Sequence, residues 1–181
     1  MYADGQSTEA EVALTQRFYV EMRAIAERVF ASERDGHTLQ PTAVVHEACV
    51  RMLTNSALPD LPREQRLALA ARVMRQVLID HARVRGADKR GAGAVRFELD
   101  DQTPSPVETV IDVEALQAAM ARLRALHERQ AEVVTLRVFG GLTMEQVAGV
   151  LGASKRTIED DWSVARAWLR RELSRESEGS A

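Results

Sequence analysis

The sequence predicts an all-α protein, two small helical domains joined by a flexible linker, and three observations carry that prediction. Apolar residues recur at helical spacing along most of the chain, and no stretch shows a convincing strand alternation. Only 4% of the residues are aromatic while Ala, Leu, Val, Arg and Glu abound, which favours helices over a sandwich or barrel. Residues Phe139 to Leu173 read as two helices joined by a three-residue turn, a helix-turn-helix. With 181 residues and 45% hydrophobic content, there is enough apolar surface for one or two packed cores.

The elements follow in order. Thr8 with Glu11 is a capping-box pair, after which Leu14, Phe18, Met22, Ile25 and Val29 keep helical spacing to about Ala31. A polar loop with an Asp35-Gly36 turn leads to Pro41, well placed as the first residue of a second helix that runs to about Leu53. The segment from Asn55 to Pro62 holds two prolines and reads as a loop. A long third helix spans Arg63 to about Gly86. Leu67, Ala70 or Ala71, Met74, Val77 or Leu78, and His81 or Ala82 face inward, with Arg66, Arg72, Arg75, Arg83 and Arg85 largely elsewhere. Residues 1–86 form the first predicted domain.

Residues 87–112 concentrate the breakers Gly91, Gly93, Pro104 and Pro106 without a sustained period, and read as the linker. As a coil those 26 residues span about 28 Å on average and about 86 Å fully stretched. Two DNA sites two turns apart, about 70 Å, would need it pulled nearly straight. The second domain, residues 113–173, begins with Val113, Leu116, Met120 and Leu123 on one helix and Ala131 to Val138 on another, and ends in the helix-turn-helix. Residues 174–181 are polar and predicted to be a disordered tail.

Within the helix-turn-helix, Thr143 and Gln146 form a capping box, with Glu145 adding negative charge at the positive end of the helix dipole. Gly152 stops that helix where a left-handed residue is needed, and Ser154 caps the next. Ile158, Trp162, Ala165 and Leu169 then make one buried stripe, leaving Lys155, Arg156, Thr157, Asp160 and Asp161 outward at the amino end. In such motifs that end enters the major groove of DNA.

The net charge of −3 is a sum of opposed blocks. Residues 63–96 carry nine basic and three acidic side chains, and residues 97–121 carry six acidic and no basic ones. A concentrated basic block is the electrostatic footprint of phosphate contact, and the acidic block beside it would repel DNA or hold the basic one in its absence. No apolar run approaches the length of a membrane span and the N-terminus is polar and acidic, so the expected location is cytoplasmic. Cys49 is the single cysteine, which fits a reducing compartment and a place in the core. The four histidines lack zinc-ligand spacing and no glycine-rich phosphate loop or nucleophile motif is present, so neither metal, cofactor nor enzymatic activity is expected.

Three stretches resemble bacterial sigma factors of the extracytoplasmic-function (ECF) type: GHTLQPTAVVHEACVRM (Gly36 to Met52), LIDHARVRGADKRGAG (Leu78 to Gly93) and the helix-turn-helix. The wording is similar to a subgroup with threonine in place of acidic residues in the polymerase-binding helix. The resemblance covers about residues 14 to 173. It implies a non-enzymatic protein whose first domain corresponds to sigma region 2 and whose second corresponds to sigma region 4. Its implied partners are core RNA polymerase, through the β′ clamp helices and the β flap, and promoter DNA.

By position, the resemblance places Thr42, His46, Glu47 and Arg51 on the polymerase-binding helix. The loop containing Asn55 corresponds to the one that holds a flipped-out base of the minus-ten element, an extrusion that costs a few kcal/mol and needs a shaped pocket. Arg72, Arg75, Arg83, Arg85, Lys89 and Arg90 would track phosphates of the opening duplex. Ser154, Lys155, Arg156, Thr157, Asp160 and Arg166 would meet the minus-thirty-five element. Two departures stand out. The polymerase-binding helix opens without carboxylates, which makes Thr42 a candidate for phosphorylation by a Ser/Thr kinase: the phosphate would add about −1.5 to −2 charge at the positive end of the helix. Glu159, Asp160 and Asp161 place acid on the recognition helix, which implies weaker DNA affinity or carboxylate contacts to cytosine. The alternative reading is a stand-alone helix-turn-helix regulator acting as a DNA-binding dimer.

Overall fold

The computed structural model describes residues 16–27, 41–53, 60–86, 94–96 and 110–179. Helix α1 is described over residues 16–27. It is followed by α2 (Pro41–Leu53), α3 (Arg63–Gly86), strands β1 (Ala94–Arg96) and β2 (Val110–Asp112), α4 (Val113–Leu126), α5 (Glu128–Val138), α6 (Met144–Leu151) and α7 (Lys155–Gly179). Among the described residues the architecture is helical apart from one short ribbon.

Periodicity explains the first group of helices. Phe18, Met22, Ile25 and Ala26 bury one stripe of α1, and Val44, Val45, Ala48 and Met52 bury one stripe of α2. Helix α2 packs on α3, whose Leu67, Ala70, Ala71, Met74, Val77 and Leu78 are buried in the same cluster, and Glu21 of α1 bonds Arg63 of α3. Cys49 is half-buried with its thiol 3.9 Å from the Met22 sulfur, and burial pushes that thiol's pKa up. The second group packs α4, α5 and α7 on one another, with α6 against α7. Leu116, Met120, Leu123, Leu136, Phe139, Leu142, Ile158 and Leu169 form its interior. The two groups meet: α3 also lies against α4, α5 and α6, so their apolar interiors join in one cluster.

Three findings differ from the sequence reading. First, the predicted linker contains an antiparallel ribbon in which Ala94 pairs with Asp112, Val95 with Ile111 and Arg96 with Val110. Val95, Val110 and Ile111 are β-branched, which suits a pleated backbone, but three residues are too few to display an alternation in sequence. Second, α7 continues to Gly179, through most of the predicted tail. Nothing between Leu173 and Gly179 breaks a helix, and the Ser174 hydroxyl donates back to the Arg170 carbonyl at 2.9 Å, keeping a polar side chain within the turn. Third, α5 begins at Glu128, a turn earlier than the apolar pattern indicates, because its first turn is exposed and polar.

Candidate functional site

Local capping chemistry builds the helix-turn-helix. The Gln146 amide donates to Thr143 Oγ1 at 3.2 Å, and the Thr143 amide donates to Gln146 Oε1 at 2.9 Å, so both halves of the capping box are made. Gly152 ends α6 at φ 64° and ψ 31°, the left-handed region where a side chain would be strained. Ser154 Oγ accepts from the Thr157 amide at 3.1 Å, and the two hydroxyls lie 2.8 Å apart. Ser154 and Thr157, both expected at DNA, thus also cap the start of α7.

The buried stripe of α7 is Ile158, Trp162, Ala165 and Leu169. Arg137, absent from the sequence reading, braces it. Its Nη1 donates to the Leu142 carbonyl at 2.6 Å, and its guanidinium carbon lies 5.6 Å from the centre of the Trp162 ring. One side chain thereby ties the end of α5 to the turn and to α7. No local signal marks it, because Trp162 is distant in sequence.

The charged surface of α7 is rearranged relative to expectation. Asp161 does not face outward: it is 8% exposed, and Arg129 of α5 donates through Nε at 2.5 Å and Nη2 at 3.4 Å to its two oxygens. At about 100° per residue, position 161 sits only about 60° from Ile158 around the helix, on the edge of the buried stripe. The buried carboxylate needs that partner, and it in turn holds the Arg129 pKa above its ordinary value. Lys155 Nζ lies 2.5 Å from Glu145 and 3.6 Å from Glu159. The hydrogen bond to Glu145 raises the Lys155 pKa, and the same bond lowers that of Glu145. Arg156 and Asp160 are exposed, and Arg166 is half-buried.

On α3, Arg72 is exposed, but its Nε is 2.5 Å from Glu132 of α5, which also meets Arg124 at 3.3 Å. Arg75, expected away from the inner side, is 9% exposed. It is close enough to α4 and α5 that its pKa is lowered, first by burial and then by the Arg124 charge, with Glu132 opposing. The cause is α3's second packing face, which one amphipathic pattern cannot reveal. Arg83 and Arg85 lie near the end of α3, with side chains outside those described, and Asn55, Lys89 and Arg90 fall outside the described residues.

On α2, Thr42 is the second residue, half-buried, in a first turn without acid. With Tyr19, Ala43, His46, Glu47 and Val50 it lines an open groove between α1 and α2. His46 is exposed. Glu47 and Arg51 belong to a network reaching α3: Glu47 bonds Arg51 at 2.5 Å and His81 at 2.8 Å, and Arg51 bonds Asp80 at 2.7 Å. Gln76 also donates to Asp80, at 2.9 Å. The His81 hydrogen bond, then Arg51, hold the Glu47 carboxyl below its ordinary range. His81 and Asp80 join the candidate site through these bonds, and the sequence reading had not placed them there.

The chain matches the ECF sigma factor family over residues 2–175. It belongs to that family. A segment of 73 residues, 40% of this chain, is 37% identical to the probable RNA polymerase sigma factor RfaY of Xanthomonas campestris pv. campestris. The match covers 18% of that relative's length. No solved structure matches the chain. In this ECF sigma factor no helix among the described residues is long and apolar enough to cross a membrane. No group of three or more His, Cys, Asp and Glu side chains suited to a metal ion occurs among the described residues.

Proposed function

We propose that this chain is a cytoplasmic sigma factor that binds core RNA polymerase, directs it to a promoter and helps open the DNA. The observation that carries the reading is the family match over residues 2–175, which ends on a capped helix-turn-helix. On this reading residues 1–86 grip polymerase and handle the minus-ten element. The groove between α1 and α2, with Thr42, His46 and Glu47, takes the β′ clamp helices, while Arg51 holds Glu47 in place. Arg72, Arg75, Arg83, Arg85, Lys89 and Arg90 supply phosphate contacts, and Asn55 lies in the loop that receives a flipped base. Residues 113–173 meet the minus-thirty-five element and the β flap, with Lys155, Arg156, Asp160 and Arg166 at the DNA beside Ser154 and Thr157, which also cap the amino end of α7.

Thr42 is the regulatory position on this reading. The first turn of α2 carries no acid, and phosphorylation by a Ser/Thr kinase would place about −1.5 to −2 charge where the helix dipole favours it. Reconstitution with purified core polymerase tests both levels. The sigma reading expects a stable complex and promoter-specific transcripts, and binding of DNA as a dimer without polymerase would replace it with a stand-alone regulator. The Thr42 reading expects Thr42→Glu to bind core more tightly than Thr42→Ala, and equal binding of the two removes it.

A further inference from the structure

Sequence preference at the amino end of α7 falls to the few side chains that the fold leaves pointing away from the protein. In its first three turns Ile158, Asp161 and Trp162 are buried, and Thr157 caps the helix together with Ser154. Lys155 lies against Glu145 and Glu159. Arg156, Asp160, Ser163 and Val164 are exposed. At about 100° per residue these four share one outward arc of about 100°, with Val164 about 40° from Asp160 and about 160° from the buried Trp162.

Val164 is the apolar member of that arc. It is 54% exposed, so the core does not account for it, and a β-branched residue lowers helix propensity. An exposed valine elsewhere on a surface would need no account. Here it stands on the side that a helix-turn-helix turns toward the major groove. Its neighbours on that side are small: Ser163 beside it and Ala167 one turn on, both exposed. Neither is long enough to hold the helix off the base edges.

The groove offers chemistry that fits each residue. Thymine alone among the bases shows a methyl group there, and the cytosine N4 amino group is a donor with no acceptor on the same edge. A carboxylate brought among phosphates needs such a donor. The rise from Asp160 to Val164 is about 6 Å, against about 3.4 Å per base pair, so the two reach bases within about two base pairs of each other. Contacts to phosphates position the helix but carry no sequence information, which leaves the preference to residues of this kind.

We propose that Val164 is a specificity residue whose methyl groups pack on the 5-methyl group of a thymine in the minus-thirty-five element, within about two base pairs of a cytosine that donates its N4 amino hydrogen to Asp160. The proposal rests on the sigma-factor reading above and adds the base chemistry of the upstream element.

Selection followed by single-atom-group substitution in the DNA tests this. Holoenzyme reconstituted from the full chain and core polymerase selects duplexes from a randomised pool, and each thymine of the upstream enriched block is then replaced by deoxyuridine, which removes only the methyl group. At one thymine, with a G·C pair within about two base pairs, the replacement should weaken binding by the native chain about fourfold, the worth of one buried methyl. Val164→Ala should lose that penalty and bind the deoxyuridine duplex as well as the native chain does, an equality that a merely structural role would not produce. Tolerance of deoxyuridine at every thymine of the block, or a penalty that survives Val164→Ala, overturns the proposal. A responsive thymine with no G·C pair so near overturns the role given to Asp160. Failure of the native chain to form holoenzyme overturns the sigma-factor reading instead, and the proposal with it.

Discussion

Alanine at three glycines of the second group should give two signs of effect, and the structure says which. At Gly149, on the exposed face of α6, a Cβ meets nothing within 4 Å. Glycine inside a helix is about 0.5–1 kcal/mol worse than alanine, so Gly149→Ala should stabilise by that amount. At Gly152 the obstacle is φ of +64° rather than space, and a left-handed alanine costs about 1–2 kcal/mol. At Gly140 the new Cβ would sit 2.6 Å from both the Leu136 carbonyl oxygen and Leu142 Cδ1, besides its approach to Ala71. Neither neighbour can yield easily: Leu142 is fully buried, and the Leu136 carbonyl accepts from the Leu142 amide at 3.3 Å. Overpacking of this kind costs about 1–3 kcal/mol. At about 2–4 °C per kcal/mol for a protein of this size, Gly149→Ala should raise Tm by roughly 1–4 °C, Gly152→Ala lower it by roughly 2–8 °C, and Gly140→Ala lower it by roughly 2–12 °C. Thermal melts followed by far-UV circular dichroism decide the matter. A Gly140→Ala variant as stable as Gly149→Ala would refute the claim that the turn is wedged against α3.

Other outcomes follow from the same contacts. Thr143→Ala removes the acceptor of the capping box and should cost about 1 kcal/mol, a melt that Thr143→Ser largely restores. Glu145→Gln removes the nearest partner of Lys155. If Lys155 then turns to a phosphate, the logarithmic salt slope of promoter binding should steepen by about 0.9, and an unchanged slope places Lys155 away from the DNA. Glu47 has a lowered carboxyl pKa, chiefly through His81. Its stabilisation is therefore complete above the unfolded value of about 4.3 and is lost as pH falls through the lower folded value. Urea midpoints of Glu47→Gln should lie below those of the native chain near neutral pH and converge on them in acid. A constant gap across that range would contradict the assignment.

What was legible in the sequence was what local chemistry decides. The capping box at Thr143, the left-handed stop at Gly152, the Ser154 cap and the stripe from Ile158 to Leu169 each depend on residues within a turn or two, and each is present. What escaped depends on partners that only the fold supplies. Asp161 reads as one more acid on an exposed helix until Arg129, 32 residues earlier, is brought against it. Arg72 and Arg75 read as a solvated face until α5 arrives with Glu132, 60 residues from Arg72. Glu47 and His81 are 34 residues apart, and each alone is an ordinary polar residue on an amphipathic helix. The ribbon escaped for a different reason: three residues on each side cannot show a period.

These pairings change how the charge of the chain should be counted against DNA. By sequence, the basic block and the amino end of α7 offer their cations freely. In the folded chain Arg72 already has Glu132, and Lys155 already has Glu145 and Glu159. A cation that must leave a carboxylate to meet a phosphate releases DNA counterions but exposes the carboxylate, which takes up counterions of its own. Its contribution to the salt slope therefore falls from about 0.9 toward zero. Salt also screens the Arg72–Glu132 pair and frees Arg72 for a phosphate, which opposes the usual weakening of DNA binding. Promoter binding should consequently be less salt-sensitive than the number of basic side chains at the DNA implies. Glu132→Gln should steepen the slope by about one pair's worth, roughly 0.9, because Arg72 then meets the phosphate without leaving an acid behind. A Glu132→Gln slope equal to that of the native chain would mean that Arg72 meets no phosphate when DNA binds, and would remove it from the promoter contacts.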